Sequence, residues 1–347
     1  MARAAIGIDF GHSHVKLVEL RRSGRQVQLK RASLLPLPPA TLRAGEVADE
    51  KVLADSLSDL IPGLRMERAA VVAGCSGPAV AVRAMTLQTA PNEDLDLAVY
   101  QELAALLRLE PARMEEYYFD YHVLPSNGPS EQEVVAVGVE RKVVEGYLRP
   151  LRTAHLDAHV LDVAAFALPR VEALPGQVCY IDIGAEYTEV MVTSDQEYVV
   201  FRRIPGGMNH LISAAAVGYS ISQSEARKLC EQTHIDELVT EAPGDRTHLQ
   251  RVLQEIAGGV VQTLEFLRVR QRASSITELL AAALVCGGGA LQPGMVQMLR
   301  EELGLHVEVM RPLSSLSGAE GLSPNTVATE PLFASAVGLA MRGVEDL

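Results

Sequence analysis

Two aspartates end apolar, strand-like runs, and a glycine follows each two residues later: IGIDFG carries Asp9 and Gly11, CYIDIG carries Asp182 and Gly184. A glycine just past a strand end lets backbone N–H groups approach an anion, since no Cβ stands in the way. A carboxylate beside it suits Mg2+, which takes one or two carboxylates together with phosphate oxygens and water. One such pair is also ordinary turn chemistry, whereas two in matching surroundings carry more. A third stretch, CGGGALQPGM, runs from an apolar strand through Gly287, Gly288 and Gly289 toward a helix opened by Pro293. Glycines there either let a flat base and ribose lie against the backbone or make a tight strand-to-helix turn.

The elements that position these residues repeat. IGIDFGHSHVKLVEL and CYIDIGAEYTEVMVT both read apolar strand, Asp, apolar, Gly, three residues, then an alternating strand, and each opens three extended segments joined by tight turns. The offset is 182 − 9 = 173 residues, half of a 347-residue chain, so the repeat is two similar domains and not a solenoid. The expected division is 1–84 and 141–170 for the first domain, 171–347 for the second, and 85–140 for a small α/β insert. That insert starts at a helix in PNEDLDLAVYQELAALLRL and continues in two strands, EYYFDYHVLP and EVVAVGVE, around the loop SNGPSEQ. Helices are also expected in RKVVEGYLRPLRTA and AAFALPRVEAL.

Composition bounds the partners. Hydrophobic residues make up 48% and charged residues 22% of the chain, as in ordinary globular proteins. A net charge of −13 argues against nucleic acid or an acidic membrane surface as the main partner. The opening residues lack a signal-peptide core and no apolar run approaches a membrane span, so neither secretion nor membrane insertion is expected. Cys75, Cys179, Cys230 and Cys286 form no CxxC pair and read as buried thiols of a reducing compartment. HLDAH at 155–159 has the i, i+4 spacing of a helical metal pair but straddles a helix end and a strand, and is discounted.

Two phosphate hairpins and a glycine-rich adenosine motif together resemble the actin-like ATPase superfamily. Within it the chain resembles the type IV pilus assembly protein PilM family and its division relative FtsA. The resemblance rests on VKLVEL, the insert from APNEDLDLAVYQELAALL to FDYHVLP, RKVVEGYLRPLRTAHLDAHVLDVAAFAL, DIGAEYTEV, RRIPGGMNHLISAAA and VCGGGALQPGMVQMLREELGLHVEV. It implies an actin-like ATPase fold: α/β, two duplicated domains with a small inserted α/β subdomain on the first, and ATP with Mg2+ between them. It also implies a cytoplasmic scaffold, peripheral at the inner membrane, that captures the cytoplasmic N-terminal tail of a single-span PilN-like protein and can self-associate.

Carried over by position, Asp9, Gly11 and Lys16 belong to the first phosphate hairpin, and Asp182, Gly184 and Thr188 to the second. Asp9 and Asp182 would be the Mg2+-bearing, catalytic carboxylates. Gly206 and Gly207 match the paired glycines after the third strand, Gly287, Gly288 and Gly289 the adenosine motif, and Glu225 and Lys228 positions that meet the adenosine. Ser222-x-x-Glu225 is equally a capping box.

Two departures stand out. Where relatives tend to place small hydroxyl residues, this chain has His12, Ser13 and His14; a phosphate-facing or structural role outweighs a His-x-His metal site, since no third ligand is near. Where relatives often carry a glutamate after VLDV, it has Ala164 and Ala165. Hydrolysis needs a group to orient the attacking water, so nucleotide binding with slow or absent turnover is expected. The alternatives are an FtsA-like division protein, whose basic amphipathic tail the acidic closing MRGVEDL does not resemble, and a small-molecule kinase, whose acceptor-facing carboxylate is not evident.

Overall fold

The computed structural model describes residues 3–62, 64, 69–88, 94–125 and 131–345. Its first meander is β1 (Arg3–Phe10), β2 (His14–Ser23) and β3 (Gln26–Pro36), paired antiparallel in that order. A short hairpin, β4 (Leu42–Arg43) and β5 (Glu46–Val47), leads to α1 (Glu50–Ser58), whose cap Asp49 accepts from Val52 N at 3.0 Å. Strand β6 (Ala69–Cys75) then runs parallel to β1.

The inserted subdomain follows as β7 (Val80–Gln88), α2 (Leu95–Leu106), β8 (Tyr117–Val123) and β9 (Glu131–Glu140), with sheet order β7-β9-β8. Leu87, Val99, Leu103, Val134 and Ala136 form its own core. The sequence reading gave this subdomain two strands, and β7 is a third. Its residues, VAVRAMTLQ, form a half-buried strand. The opening Pro91–Glu93 of the expected helix and the loop residues 126–130 lie outside the described residues.

The chain returns through α3 (Arg141–Thr153) to β10 (Val160–Val163), parallel to β6. AAFALPR, expected as α-helix, is a 3-10 turn over Ala164–Arg170. Pro169 inside it lacks the N–H that an α-helical hydrogen bond there would need.

The second half repeats the plan with β11 (Gln177–Ile183), β12 (Tyr187–Ser194) and β13 (Glu197–Pro205). Helices α4 (Met208–Tyr219), α5 (Gln223–Gln232), α6 (Ile235–Thr240), α7 (Thr247–Gln271) and α8 (Ile276–Leu279) follow. Then come β14 (Ala282–Cys286), α9 (Met295–Leu303), β15 (Val307–Val309), α10 (Pro324–Ala328) and α11 (Ala334–Glu345). The five-stranded orders are β3-β2-β1-β6-β10 and β13-β12-β11-β14-β15, an antiparallel meander continued by two parallel strands in each half. Even the bulges recur: the register shifts between Glu19 and Leu20 and between Val192 and Thr193, again 192 − 19 = 173 residues apart.

Helix α7 packs one stripe, Leu249, Val252, Ile256, Val260, Leu264 and Leu267, into the second core with Ile181, Val190 and Val192. Helix α11 crosses back. Its Ala336, Val337, Ala340 and Val344 pack with Ala5, Val18 and Leu20 of the first sheet, so the first half is covered by the end of the chain, although by chain order this helix falls within the expected span 171–347. The approach is close: a Cβ at Gly7 would sit 2.1 Å from Ala336 O. Among the described residues no helix is long and apolar enough to cross a membrane.

Candidate functional site

Both strand-end hairpins line one cleft of about 520 Å³, a volume in the range of small-molecule sites. The two turns close alike, Gly11 N donating to His14 O at 3.0 Å and Gly184 N to Tyr187 O at 2.9 Å. Strand register sets the next layer: Asp9 stands opposite Lys16 in the first meander, and Asp182 opposite Glu189 in the second. The same backbone thus carries a cation in one half and an anion in the other.

That difference sets the charges. Lys16 Nζ donates to Asp9 Oδ2 at 2.8 Å. Burial works against the ammonium, but Asp9, assisted by Asp182, raises its pKa overall. Asp182 has no such partner. Withdrawal from water, then Glu189 and Asp9, push its carboxyl up to about 7, with Lys16 pulling the other way. His12 and His14 are lowered by burial; Glu186 opposes this at His12 and Lys16 adds to it, while Lys16 and Arg227 add to it at His14. Both rings are therefore neutral at neutral pH.

Of the residues expected at the site, Asp9, Gly11, His12, Ser13, Lys16, Asp182, Gly184, Gly287 and Gly288 line this cleft. Gly287 has φ +78°, and a Cβ there would sit 2.1 Å from Asp182 Oδ1, so the carboxylate rests directly on the glycine's backbone. The other six stand elsewhere. Thr188 is fully buried and its hydroxyl donates to Gly206 O at 2.9 Å, tying β12 to the end of β13. Gly206 follows β13, and Gly207 carries the start of α4 onto the second hairpin, where Met208 N and Asn209 N donate to Gly184 O and Ala185 O at 3.0 and 2.8 Å. Gly289 packs against Ile183. Glu225 closes the capping box of α5, accepting from Ser222 N at 2.9 Å, and both Glu225 and Lys228 are exposed.

Helix α5 meets the cleft on another face, with Arg227, Cys230 and Glu231, and Glu186, Asn209, Ile212, Leu291 and Gln292 join from neighbouring elements. Sequence reasoning missed these. The i, i+3, i+4 spacing from Arg227 marked one face of α5, but nothing local says which face a cleft uses. Glu186 accepts from Asn209 Nδ2 at 2.6 Å. Glu189 is held by Arg203 at 2.8 Å, and Arg203 Nη1 also donates to Val80 O of β7 at 3.2 Å, across to the first half. Ala164 lines the cleft, whereas Asp162 pairs with Arg342 of α11.

Two cleft-lining side chains keep a buried polar atom with no partner, His12 Nε2 and Gln292 Oε1. Buried polar atoms are rarely left so. No three His, Cys, Asp or Glu side chains among the described residues converge as a metal cage. The carboxylates of Asp9 and Asp182 suit a hard cation whose other ligands are anion oxygens and water.

A family model described as Type IV pilus assembly protein PilM matches residues 7–344. Among solved structures the chain is similar to the PilM-PilN type IV pilus biogenesis complex, at 25% identity over 98% of each chain with a TM-score of 0.82. It is similar in fold to MreB 5 of Spiroplasma citri bound to AMPPNP, at 15% identity over 98% of this chain and 96% of that one, TM-score 0.53. A MamK double helical filament matches at 13% identity over 99% of each chain, TM-score 0.56. The duplicated halves and their insert are thus an actin-like ATPase fold, and the chain belongs to the type IV pilus assembly protein PilM family.

Proposed function

We propose that this chain is a scaffold of a type IV pilus, or related secretion, assembly platform, binding ATP with Mg2+ in the cleft between its halves. It works in the cytoplasm at the inner membrane, capturing there the cytoplasmic N-terminal tail of a PilN-like protein. One observation carries the nucleotide reading: Asp9 and Asp182, each ending the first strand of a duplicated meander, converge with Gly287 and Gly288 on a single cleft.

In this reading Asp9 and Asp182 hold the cation, while Gly11, His12, Ser13 and Gly184 bring backbone and side-chain donors to the phosphates. Lys16 pairs with Asp9 and fixes its carboxylate in place, and Thr188, Gly206 and Gly207 shape the second hairpin from behind. Gly287 and Gly288 support the base and ribose, Gly289 packs behind them on Ile183, and α5 closes that end. Turnover is slow. Ala164 offers no base where it lines the cleft, Asp162 is occupied by Arg342, and Glu186 and Glu189 are already bound to Asn209 and Arg203.

The tail reading is supported by the 25%-identical relative, whose structure is a PilM-PilN complex. Ordering a disordered tail has an entropic cost that a preorganised groove reduces, and nucleotide bound between the halves would fix that groove.

Calorimetry with ATP–Mg2+ tests the first part. Wild type is expected to bind, and Asp182→Ala and Gly288→Asp to lose about tenfold or more in affinity, roughly 1.4 kcal/mol. Absence of heat with wild type, or unchanged affinity in both variants, would sink the nucleotide reading. Recovery of no single-span assembly protein in a pull-down from inner-membrane extract would count against tail capture.

A further inference from the structure

We propose that Arg227 of α5 is a phosphate-binding residue, its guanidinium set at the second hairpin to grip the phosphate chain of a nucleotide held in the cleft. The inference rests on the nucleotide reading and adds to it a cationic contact from outside the two hairpins.

Contacts place the side chain. Arg227 lines the cleft and is exposed, and its Nη2 lies 3.4 Å from Asn209 Oδ1. Asn209 is itself fixed on the second hairpin: its backbone N donates to Ala185 O at 2.8 Å and its Nδ2 to Glu186 Oε1 at 2.6 Å. The guanidinium therefore stands beside the turn between β11 and β12, the turn that carries Gly184. Its charge also reaches the first hairpin, where it helps to hold the pKa of His14 down. One residue further along the helix points elsewhere: Lys228 is exposed and lies outside the cleft lining.

The charge balance of the cleft gives Arg227 its task. Among the described residues the lining carries five carboxylates, Asp9, Asp182, Glu186, Glu189 and Glu231, and two permanent cations, Lys16 and Arg227. Lys16 is committed to Asp9 at 2.8 Å. The start of α4 is committed too, since Met208 N and Asn209 N already donate to Gly184 O and Ala185 O. Arg227 keeps one long bond to Asn209, near the outer limit of a hydrogen bond. A guanidinium has five N–H donors in a planar fork that matches phosphate oxygens two at a time. Redirecting it to an incoming phosphate breaks no ion pair, whereas redirecting Lys16 would strip Asp9 of its partner.

Calorimetry on the full chain, with ATP–Mg2+ and with adenosine, tests the assignment. Arg227→Met is expected to weaken ATP about tenfold or more, while adenosine stays within about twofold of wild type. Arg227→Lys, which keeps the charge but not the fork, is expected to fall between wild type and Arg227→Met. Lys228→Met is expected to bind ATP within about twofold of wild type, because that side chain is outside the cleft. Salt gives a second readout that needs no heat from adenosine. On raising KCl from about 50 to about 300 mM, wild type should lose at least about threefold more ATP affinity than Arg227→Met, which has no phosphate cation left to screen. Thermal melts report folding, and Arg227→Gln takes the place of Arg227→Met should the latter not fold. Unchanged ATP affinity in the folded variant overturns the proposal. So do equal losses in Arg227→Met and Lys228→Met, the mark of net charge alone, and equal losses for ATP and adenosine, the mark of a base contact or a structural role. Each of these leaves the nucleotide reading intact, whereas a wild type that binds no ATP–Mg2+ overturns both.

Discussion

At the scale of single residues, the cleft's two strand-end carboxylates are not equivalent. Asp9 is ion-paired to Lys16, while Asp182 faces Glu189 and Asp9 and has its carboxyl pushed up to about 7. The native protein therefore holds that proton more tightly than the unfolded chain, whose aspartate titrates near 3.8. Stability from this group is fully present below about pH 4 and is lost as pH rises through about 7. Urea unfolding without nucleotide is expected to show Asp182→Asn gaining on wild type between pH 5 and pH 8. The gain should be on the order of 1–3 kcal/mol, allowing for the water that an open cleft admits. Parallel pH curves for the two proteins would refute this. The Asp-x-Gly pair was readable in the sequence, because a strand-end aspartate and a turn glycine are local facts. The proton on Asp182 was not, because it depends first on burial and then on Glu189 and on Asp9, 173 residues away, which only the folded chain brings to bear on it.

At the scale of elements, docking of α4 onto the second hairpin decides the cleft's shape. The first N–H groups of α4 find their acceptors in Gly184 O and Ala185 O, which answers the usual deficit of a helix start. Gly207 permits this by proximity and not by unusual torsion: its φ is −163°, open to any residue, but a Cβ would lie 2.6 Å from Gly184 O and 2.7 Å from Ala185 C. Gly207→Ala is expected to cost about 1–3 kcal/mol in urea unfolding. Gly258→Ala in α7, where a Cβ meets nothing within 4 Å, is expected to stabilise by about 0.5–1 kcal/mol through helix propensity. Equal effects would show that close approach is not what Gly207 provides. The paired glycines were visible as a motif, yet their partners were not, since a glycine does not announce what comes near it.

At the scale of the whole molecule, the halves are interleaved. The first sheet's Ala5, Val18 and Leu20 are covered by α11 from the far end of the chain, Arg342 of that helix pairs with Asp162, and Arg203 reaches Val80 across the halves. A fragment of residues 1–170 should accordingly lack a cooperative thermal transition by circular dichroism, because one face of its sheet would lose its apolar cover. A transition like that of the full chain would contradict this. The sequence by itself determined the duplication, the two meanders, the insert's helix and the glycine-rich turn, since each is written in local periodicity and spacing that backbone geometry reads directly. Only the tertiary structure decided that α11 returns to the first sheet, that α5 meets the cleft through Arg227, Cys230 and Glu231 and not through Glu225 and Lys228, and that Thr188 spends its hydroxyl on Gly206 O. These depend on contacts between residues far apart in the chain, where packing and charge, not local propensity, select among faces that the sequence leaves equal.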